Sequence, residues 1–329
     1  MGIVINNPSN TTLADNSVTT TKIADGAVTP AKLSTAVQEN NRNYIINSDF
    51  KIAQAQTSAT VTAGNSAPTA SLGYPVFDCW FVYSVGANST LSQEGNLSAK
   101  RLQLQTNPGT TAMGIGQRIE SVDAVNLAIK TVTLSFECSH SNLTSLTITA
   151  SRPTTSADTF GTIASPTKTE INTTTISITN TLTRYSITFT CPQEVERGLE
   201  VLFSFNSNAS SGTFQLANVK LEEGSWATTF IPTIYAEELR KCQRYFIKMS
   251  DHLYTYFTSA GGLTSENLHL NMFGATRIRN LISTNPIGGI SSITIGAGIS
   301  ADSTRTTYTS PGAGFYGGSP IYTVRAYIP

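Results

Sequence analysis

Acidic side chains are the first residues in this sequence that could do chemistry, because two carboxyl groups can together hydrolyse a glycosidic bond. One carboxyl acts as the acid and the other as the base or nucleophile, provided that they face each other across the bond. Six carboxylates are available for such a pair: Glu120, Glu137, Asp158, Glu200, Glu222 and Glu223. Nothing in their spacing sets two of them across a substrate. We therefore predict that the protein has no catalytic residues and is not an enzyme.

Nucleophilic and metal-dependent chemistry has less support. The sequence contains no Gly-x-Ser-x-Gly turn, which would present a nucleophilic serine. Its histidines and cysteines are widely spaced and include no Cys-x-x-Cys pair: His140, His252, His269, Cys79, Cys138, Cys191 and Cys242. Zinc sites need close pairs of these residues. We predict no metal and no cofactor, with the thiols reduced and buried and the histidines satisfied in the core.

One acidic pair has two interpretations. Glu222 and Glu223 follow a predicted strand, and adjacent carboxylates at a strand end can hold calcium through their oxygen atoms. The alternative, which we favour, is a solvated turn in which the nearby Trp226 closes one end of the core.

Aromatic side chains in the C-terminal part point to sugar recognition. Aromatic rings stack on the apolar faces of sugars, while amides, carboxylates and backbone groups bond the hydroxyls. The predicted carbohydrate-binding residues lie in loop-rich stretches: Tyr254, Tyr256, Tyr308, Phe315 and Tyr316. Packing in a core or in an interface between chains is the competing role for these five residues. Trp80 and Phe136 sit within apolar runs and are expected in the core.

Composition and charge exclude several classes of function. Lysine plus arginine and aspartate plus glutamate number 21 each, and no basic stripe exists to neutralise phosphates, so we predict no nucleic-acid partner. The start of the chain, 1–10, is polar and lacks the basic and apolar regions of a signal peptide. No long apolar stretch follows, so we predict no membrane insertion.

Alternating apolar and polar residues predict the elements that hold these side chains. In 131–138, the residues Val132, Leu134, Phe136 and Cys138 alternate with polar ones, as one buried strand face requires. Further strands are predicted at 74–83, 100–105, 114–120, 146–149, 184–191, 201–205 and 214–221, and beyond these at 254–257, 268–273, 293–295 and 322–327. Strands at this spacing predict an antiparallel sandwich. Short helical turns are expected at 236–242, and a Gly-rich loop at 312–318.

A ten-residue repeat near the N-terminus cannot bury its own apolar positions. Leu-Ala-Asp-Asn-Ser-Val-Thr-Thr-Thr-Lys, from residue 13, recurs as Ile-Ala-Asp-Gly-Ala-Val-Thr-Pro-Ala-Lys, from residue 23. Two copies are too few to stack on each other alone, so sister chains are the expected source of burial. A disordered polar leader is the alternative. The predicted contacts between chains are Leu13, Val18, Ile23, Val28 and Leu33.

This repeat resembles the Ile-Ala-Asp-Gly-Ala-Val-Thr-x-Ala-Lys-Leu repeats in the shafts of bacteriophage tail-fibre proteins, which implies a homotrimer. Six further segments, in the same order, resemble the jelly-roll module of phage tail fibres and its link to a terminal domain: 43–50, 78–80, 116–120, 130–136, 219–230 and 237–246. That module is similar to carbohydrate-binding modules. The expected fold is all-β, an antiparallel jelly-roll sandwich plus a C-terminal β-rich tip, with an extended trimeric shaft at the N-terminus.

The resemblance also implies an organisation and a role. We expect a virion-attachment and shaft segment at 1–42, a jelly roll at 43–232, a short helical linker at 233–242 and a tip at 243–329. The protein would be made in the host cytoplasm without a signal peptide and would act on the virion as a tail fibre. Tail or baseplate proteins at its N-terminus and a host surface glycan would be its partners. A capsid-anchored head fibre or decoration protein, a glycan depolymerase and a secreted bacterial adhesin are the alternatives.

Overall fold

The computed structural model describes residues 19–23, 42–64, 74–96, 98–205 and 211–250, together with seven strands between 253 and 325. The backbone divides into two units, Met1–Arg42 and Asn43–Pro329. In the first unit, the described residues form a single 3₁₀ turn, Thr20–Lys22, followed by Ile23, whose side chain is 41% exposed. The other four predicted shaft positions, Leu13, Val18, Val28 and Leu33, lie outside the described residues. Their burial between chains stays a prediction.

Two antiparallel sheets packed face to face form the β-sandwich that the sequence predicts. Six strands make the first sheet; in spatial order they are β1 (Ser58–Val61), β3 (Ser89–Glu94), β4 (Arg101–Thr106), β11 (Gly212–Glu223), β6 (Thr131–His140) and β9 (Thr183–Thr190). Five make the second: β2 (Trp80–Val85), β5 (Ala112–Ile119), β10 (Leu199–Phe205), β7 (Ser145–Pro153) and β8 (Lys168–Ser177). The fold is all-β, of the jelly-roll type.

Few helical elements accompany these strands in the described residues. They are α1 (Ser121–Ala124), the 3₁₀ turns Val125–Leu127 and Gln193–Arg197, and α2 (Tyr235–Gln243). Helix α2 lies where the sequence predicts helical turns. None of the helices in these parts of the chain has the length and apolar content that a bilayer crossing needs.

The core lies between the two sheets and follows the predicted alternation. Val132, Leu134, Phe136 and Cys138 of β6 are each fully buried. Phe136 packs edge-on against Phe203 of the opposite sheet, with ring centroids 4.9 Å apart. Strand β2 is buried on both faces, which confirms the prediction made from its dense apolar run. Burial of this kind stabilises the fold by roughly 25 cal/mol per Å² of apolar surface.

The segment 43–52 closes one end of the sandwich with side-chain hydrogen bonds to backbone groups. The Asn43 amide donates to the Val219 carbonyl (2.9 Å), and its oxygen accepts from the Leu221 amide (3.0 Å). Gln117 makes two reciprocal bonds of 2.7 Å with the backbone of Ile46. These contacts attach the segment to both sheets.

Asn47 is the centre of that closure. Its φ is +52°, in the left-handed region that Asn tolerates better than most residues. The buried amide donates to the carbonyls of Ile52 (2.8 Å) and Asp78 (3.1 Å), and its oxygen accepts from the Ile52 amide (2.9 Å). The Trp80 indole in turn donates to the Asn47 carbonyl (3.0 Å). The segments at 43–50, 78–80, 116–120 and 219–230 therefore meet in one buried hydrogen-bond network.

Strands continue after helix α2 and form three small antiparallel sheets. The first contains β12 (Phe246–Ser250), β19 (Ile321–Arg325) and β15 (Ser283–Thr284); the second, β13 (Leu253–Phe257) and β18 (Gly314–Gly318); the third, β14 (Leu263–Leu268), β17 (Thr304–Thr309) and β16 (Ile293–Ile295). The strand expected at 268–273 lies outside the described residues except for Leu268, which is the last residue of β14. One prediction is corrected here: the loop expected at 312–318 contains β18, because its backbone pairs with β13.

Candidate functional site

The face of the six-stranded sheet that points away from the core is polar. Its strands place Ser92, Gln103, Gln215 and Ser139 side by side in one row across β3, β4, β11 and β6. The Gln215 amide donates to the Gln103 side-chain oxygen at 2.9 Å. A row of amides and hydroxyls offers the donors and acceptors that bond sugar hydroxyls.

A groove of about 270 Å³ lies on this face, one row along the strands. It draws residues from three strands and from four separate connecting segments. The lining residues are Asp49, Lys51, Ser98, Ala99, Lys100, Arg101, Glu137, Leu182, Ala217, Asn218, Phe230 and Pro232. Charged, amide and apolar groups therefore face the same space.

Ala217 forms the floor of the groove, between two charged walls. It pairs with Glu137 of β6 on one side. On the other side lies Arg101 of β4, because Leu216 pairs with Leu102 and the next residue along each antiparallel strand is Ala217 and Arg101. Neighbouring strands lie about 4.8 Å apart, so the backbones of Arg101 and Glu137 are separated by about 10 Å. The small alanine between them leaves the space open.

A β-bulge next to Ala217 shapes one end of the groove. The pairing of β11 with β6 shifts between Ala217 and Lys220, and Asn218 has a φ of +50°. A bulge of this kind bends its strand and re-aims the side chains beside it. The Val219 amide donates to the Ser48 carbonyl (3.0 Å), which brings the segment carrying Asp49 to the groove.

A tight connection between β3 and β4 supplies the cationic wall. Gly95 has a φ of +87°, and a Cβ at this position would lie 2.1 Å from the Ala99 carbonyl oxygen, so only glycine fits. The Asn96 side-chain oxygen accepts from the backbone amides of Ser98 (3.1 Å) and Ala99 (3.0 Å). This fixed turn leads directly into Lys100 and Arg101 at the start of β4.

The charges in the groove are only partly paired. Lys51 and Asp49 form an ion pair at 2.6 Å, so they neutralise each other. The Arg101 Nε is shielded from solvent, and within the described part of the chain it has no hydrogen-bond partner. A buried donor left without an acceptor costs about 1–3 kcal/mol. The groove therefore contains hydrogen-bonding capacity that the protein itself does not use.

An apolar edge completes the groove. Phe230, Leu182 and Pro232 line it, and Phe230 is half-buried. Residues 224–232 are held against the sheet at Thr228, whose amide donates to Glu222 (2.8 Å) and whose carbonyl accepts from Arg184. An aromatic edge beside polar walls is an arrangement that suits a sugar ring.

Most of the carboxylates that the sequence offers for catalysis are structural. Glu200 is 1% exposed in its side chain and pairs with Arg118 at 2.8 Å and with Lys168. Glu120 binds Arg244 at 2.6 Å. Asp158 accepts from the Ser121 backbone amide at 2.6 Å. Of the six predicted candidates, only Glu137 lines the groove, where the second carboxyl group is that of Asp49.

The interpretation of Glu222 and Glu223 as a solvated turn is wrong for Glu222. Glu222 is fully buried and pairs with Lys220 at 3.0 Å, since β11 continues to Glu223 instead of ending before it. Glu223 accepts from the Tyr44 hydroxyl at 2.9 Å and pairs with Lys130 at 2.8 Å. Among the described residues, no three His, Cys, Asp or Glu side chains converge as a metal site would require.

Trp226 does not close the core. Its side chain is 81% exposed, because the chain turns away from the sheet after Gly224. The end of the core is instead closed by Asn47 and Trp80, as described above.

His140 and the cysteines have structural environments. The His140 Nδ1 accepts from the amides of Asn142 and Leu143, its Nε2 has no hydrogen-bond partner in the described residues, and burial lowers its pKa to about 4. The expected core histidine is thus satisfied at one nitrogen only. All four thiols are free, and burial raises the pKa of Cys138 and of Cys191 to about 12. Cys242 is buried as predicted, whereas Cys79 is half-buried. His252 and His269 lie outside the described residues.

The predicted sugar-binding aromatics occupy strands of two different small sheets. Tyr256 pairs with Phe315 and Tyr254 with Gly317 in the sheet of β13 and β18, where Tyr316 is opposite Thr255. Tyr308 lies in β17, in another sheet. Their proposed role in sugar binding stays a prediction.

No protein-family model matches the chain, and no curated protein matches it significantly. Similar solved structures include the enzymatically active domain of bacteriophage CBA120 tailspike protein 4, at 17% identity over 49% of this chain and 21% of that one, with a TM-score of 0.33. The chain thus spans about a fifth of that tailspike domain's length.

Two further similar structures are smaller. A putative sugar-binding protein from Bacteroides thetaiotaomicron is 12% identical over 56% of this chain and all of its own length, with a TM-score of 0.35. The N-terminal cellulose-binding domain of Cellulomonas fimi β-1,4-glucanase C is 14% identical over 45% of this chain and 90% of its own, with a TM-score of 0.33.

The groove itself was not predicted from the sequence. Arg101 and Glu137 lie on strands that are neighbours of β11 in space but are far apart in the chain. The available signals were Ala217, a small residue within an otherwise bulky strand, and the charged residues Arg101 and Glu137 at outward positions of predicted strands. Each signal alone is too common to mark a site.

Proposed function

We propose that the chain is a structural subunit of a bacteriophage tail fibre whose jelly roll binds a host surface glycan in the groove over Ala217. The single observation that supports this proposal most strongly is the unused hydrogen-bonding capacity in the groove. Arg101 Nε is desolvated without a partner, and Glu137 faces it across a floor as small as alanine. Sugars bind by this combination of hydroxyl bonds, charged groups and an aromatic edge.

Weak binding in each groove fits a fibre. A shallow polar groove makes few contacts, so one copy binds a glycan weakly. A homotrimer, as the N-terminal repeat implies, would present three grooves and convert weak binding into avidity. In this proposal, the N-terminal segment attaches to tail or baseplate proteins, and the protein is part of the virion.

The proposed function is binding without cleavage. Asp49 and Glu137 are the two carboxyl groups of the groove, but Asp49 is already held by Lys51 at 2.6 Å. Hydrolysis of a glycosidic bond needs two carboxyl groups that face that bond, and only Glu137 is outside an ion pair among the described lining residues. We therefore expect no release of reducing ends from any polysaccharide that the protein binds.

The test is a binding screen of the intact protein against a panel of bacterial surface polysaccharides, with release of reducing ends measured in the same samples. Ala217→Leu would fill the floor of the groove, and Ala217→Ser, at the same position, would leave it open. Binding that Ala217→Leu removes and Ala217→Ser keeps, while the melting temperature of Ala217→Leu stays at that of the parent, supports the proposal. Unchanged binding by Ala217→Leu places the site elsewhere, and binding to no polysaccharide rejects the function.

A further inference from the structure

We propose that the groove selects an acidic glycan, with an anionic group of the sugar bound by Arg101 and Lys100. This inference rests on the proposed function and names the class of its ligand. The shared chemistry is a planar or tetrahedral oxyanion, either the carboxylate of a uronic acid or a backbone phosphate.

The balance of charges in the groove favours an anion. Three cations and two carboxylates line it: Lys51, Lys100, Arg101, Asp49 and Glu137. The ion pair of Asp49 with Lys51 removes one charge of each sign. Two cations and one carboxylate remain, and the two cations are adjacent in the chain at the start of β4.

The state of Arg101 indicates where the anion binds. Arg101 is one of the residues that line the groove, and its Nε is shielded from solvent without a partner among the described residues. Other guanidinium groups in the sandwich have acceptors: Arg118 binds Glu200 at 2.8 Å, and Arg184 binds Ser135 at 3.3 Å. An arginine fork matches two oxygens of one carboxylate or phosphate, and such charge-assisted bonds are about twice as strong as neutral ones.

The opposite wall would orient the sugar. Glu137 lies two strands from Arg101, about 10 Å across the Ala217 floor. Its carboxylate repels an anion, so the charged group of the sugar is directed to the Arg101 side. Glu137 can then accept hydrogen bonds from the sugar hydroxyls. One ring lying over Ala217 thus meets a cation on one side and an acceptor on the other.

Polygalacturonate and its carboxyl-reduced form are a suitable pair of probes, because they differ only at C6, where a neutral hydroxymethyl group replaces the carboxylate. Poly(glycerol phosphate) tests phosphate as the source of the anion. The variants are Arg101→Met, which keeps an unbranched apolar stem without the charge, and Arg101→Lys, which keeps the charge without the fork. Arg152→Met removes a half-buried cation of the five-stranded sheet and is the matched control. Binding is measured with the full chain at low and high salt.

We expect the full chain to bind polygalacturonate or poly(glycerol phosphate) at least tenfold more tightly than the carboxyl-reduced polymer. Arg101→Met should remove that preference, Arg101→Lys should keep part of it, and Arg152→Met should leave it unchanged. High salt should weaken binding of the charged polymer only.

Two results would overturn the inference in different ways. Equal affinity for the charged and the carboxyl-reduced polymers, with loss of both on Ala217→Leu, would reject acidic selectivity while leaving the glycan-binding groove intact. A preference for the charged polymers that Arg101→Met leaves unchanged would place the anion elsewhere. Failure to bind these probes, together with failure against the whole polysaccharide panel, would reject the proposed function as well.

Discussion

Two polar regions of the sandwich use the same residue types in opposite ways. The buried polar groups, which are Asn47 and Gln117 at the closed end and the ion pair of Arg118 and Glu200 in the five-stranded sheet, are all engaged in bonds within the protein. In the groove, Arg101 lines an open space and its Nε has no acceptor among the described residues. The difference separates structure from function: polar groups that bond one another hold the fold, and a charged residue that lines a groove without a partner is available to a ligand. Mutations at the two regions should therefore have opposite consequences.

The largest loss of stability is expected from Glu200→Gln. Its side chain and that of Arg118 are each 1% exposed, and the Arg118 guanidinium lies between the rings of Phe81 and Phe160, at 5.3 Å and 5.0 Å from their centroids. Removing one partner of a buried pair costs about 3–5 kcal/mol, because the other charge stays buried. Chemical denaturation measures the free energy of unfolding. Glu194→Gln, in an exposed pair with Arg152, is the control and should cost under about 1 kcal/mol. Equal effects would contradict a structural role for the buried pair of Glu200 and Arg118.

Asn47→Ala should cost somewhat less. The change removes the buried side-chain partner of the Ile52 and Asp78 carbonyls and of the Ile52 amide. Leaving buried polar groups without partners should lower the free energy of unfolding by about 1–3 kcal/mol. Thermal unfolding compares this variant with Asn126→Ala. The Asn126 side-chain amide donates to the Asp123 carbonyl at an exposed position, so the loss of that hydrogen bond should lower the melting temperature only a little. A variant as stable as the parent would show that the network around Asn47 is dispensable.

His140 should make stability depend on pH to a smaller extent. Burial lowers its pKa from 6.5 to about 4, so the unfolded chain binds the proton more readily between these values. The stabilisation from the neutral ring is complete above about pH 6.5 and is lost as the pH falls towards 4. His140→Asn keeps an acceptor near the Nδ1 position and cannot titrate. Its melting temperature should therefore fall less than that of the parent between pH 7.5 and pH 4.5, and parallel curves would contradict this role.

No loss of stability, and therefore the sharpest contrast, is expected from Arg101→Met. Because the Nε is a buried donor without a partner within the described residues, its removal breaks no hydrogen bond, and the free energy of unfolding should stay the same or rise by up to about 1–3 kcal/mol. Denaturation of the unliganded protein measures this value. A loss near that of Glu200→Gln would show that Arg101 belongs to the structural group, and the contrast between the two regions would fail.

The sequence was most informative where packing follows local periodicity. The alternation in 131–138 predicts β6, observed at Thr131–His140, because one face of that strand is buried by the opposite sheet. It did not reveal β8, Lys168–Ser177, a threonine-rich edge strand whose residues are mostly half-buried or exposed. Only the pairing with β7 defines that strand. Pairing between distant strands is not encoded in a local pattern.

The candidate site was harder to predict for the same reason. Sequence reasoning favoured aromatic residues near the C-terminus, whereas the groove is assembled from segments as distant as Asp49, Glu137 and Phe230. Its most informative property, a buried donor without an acceptor, exists only once the chain has folded. The motifs that resemble a phage jelly roll gave a different kind of information, since Asn43, Asn47 and Gln117 hold the closed end together.

Hydrogen–deuterium exchange of the full chain, with and without a polysaccharide that it binds, tests the central claim most directly. If the groove is the site, the sugar should slow exchange around residues 98–102, 135–138 and 215–219 and leave β13 and β18 unchanged. Slower exchange in β13 and β18, with none in those three segments of the sandwich, would assign recognition to the tip and contradict the account.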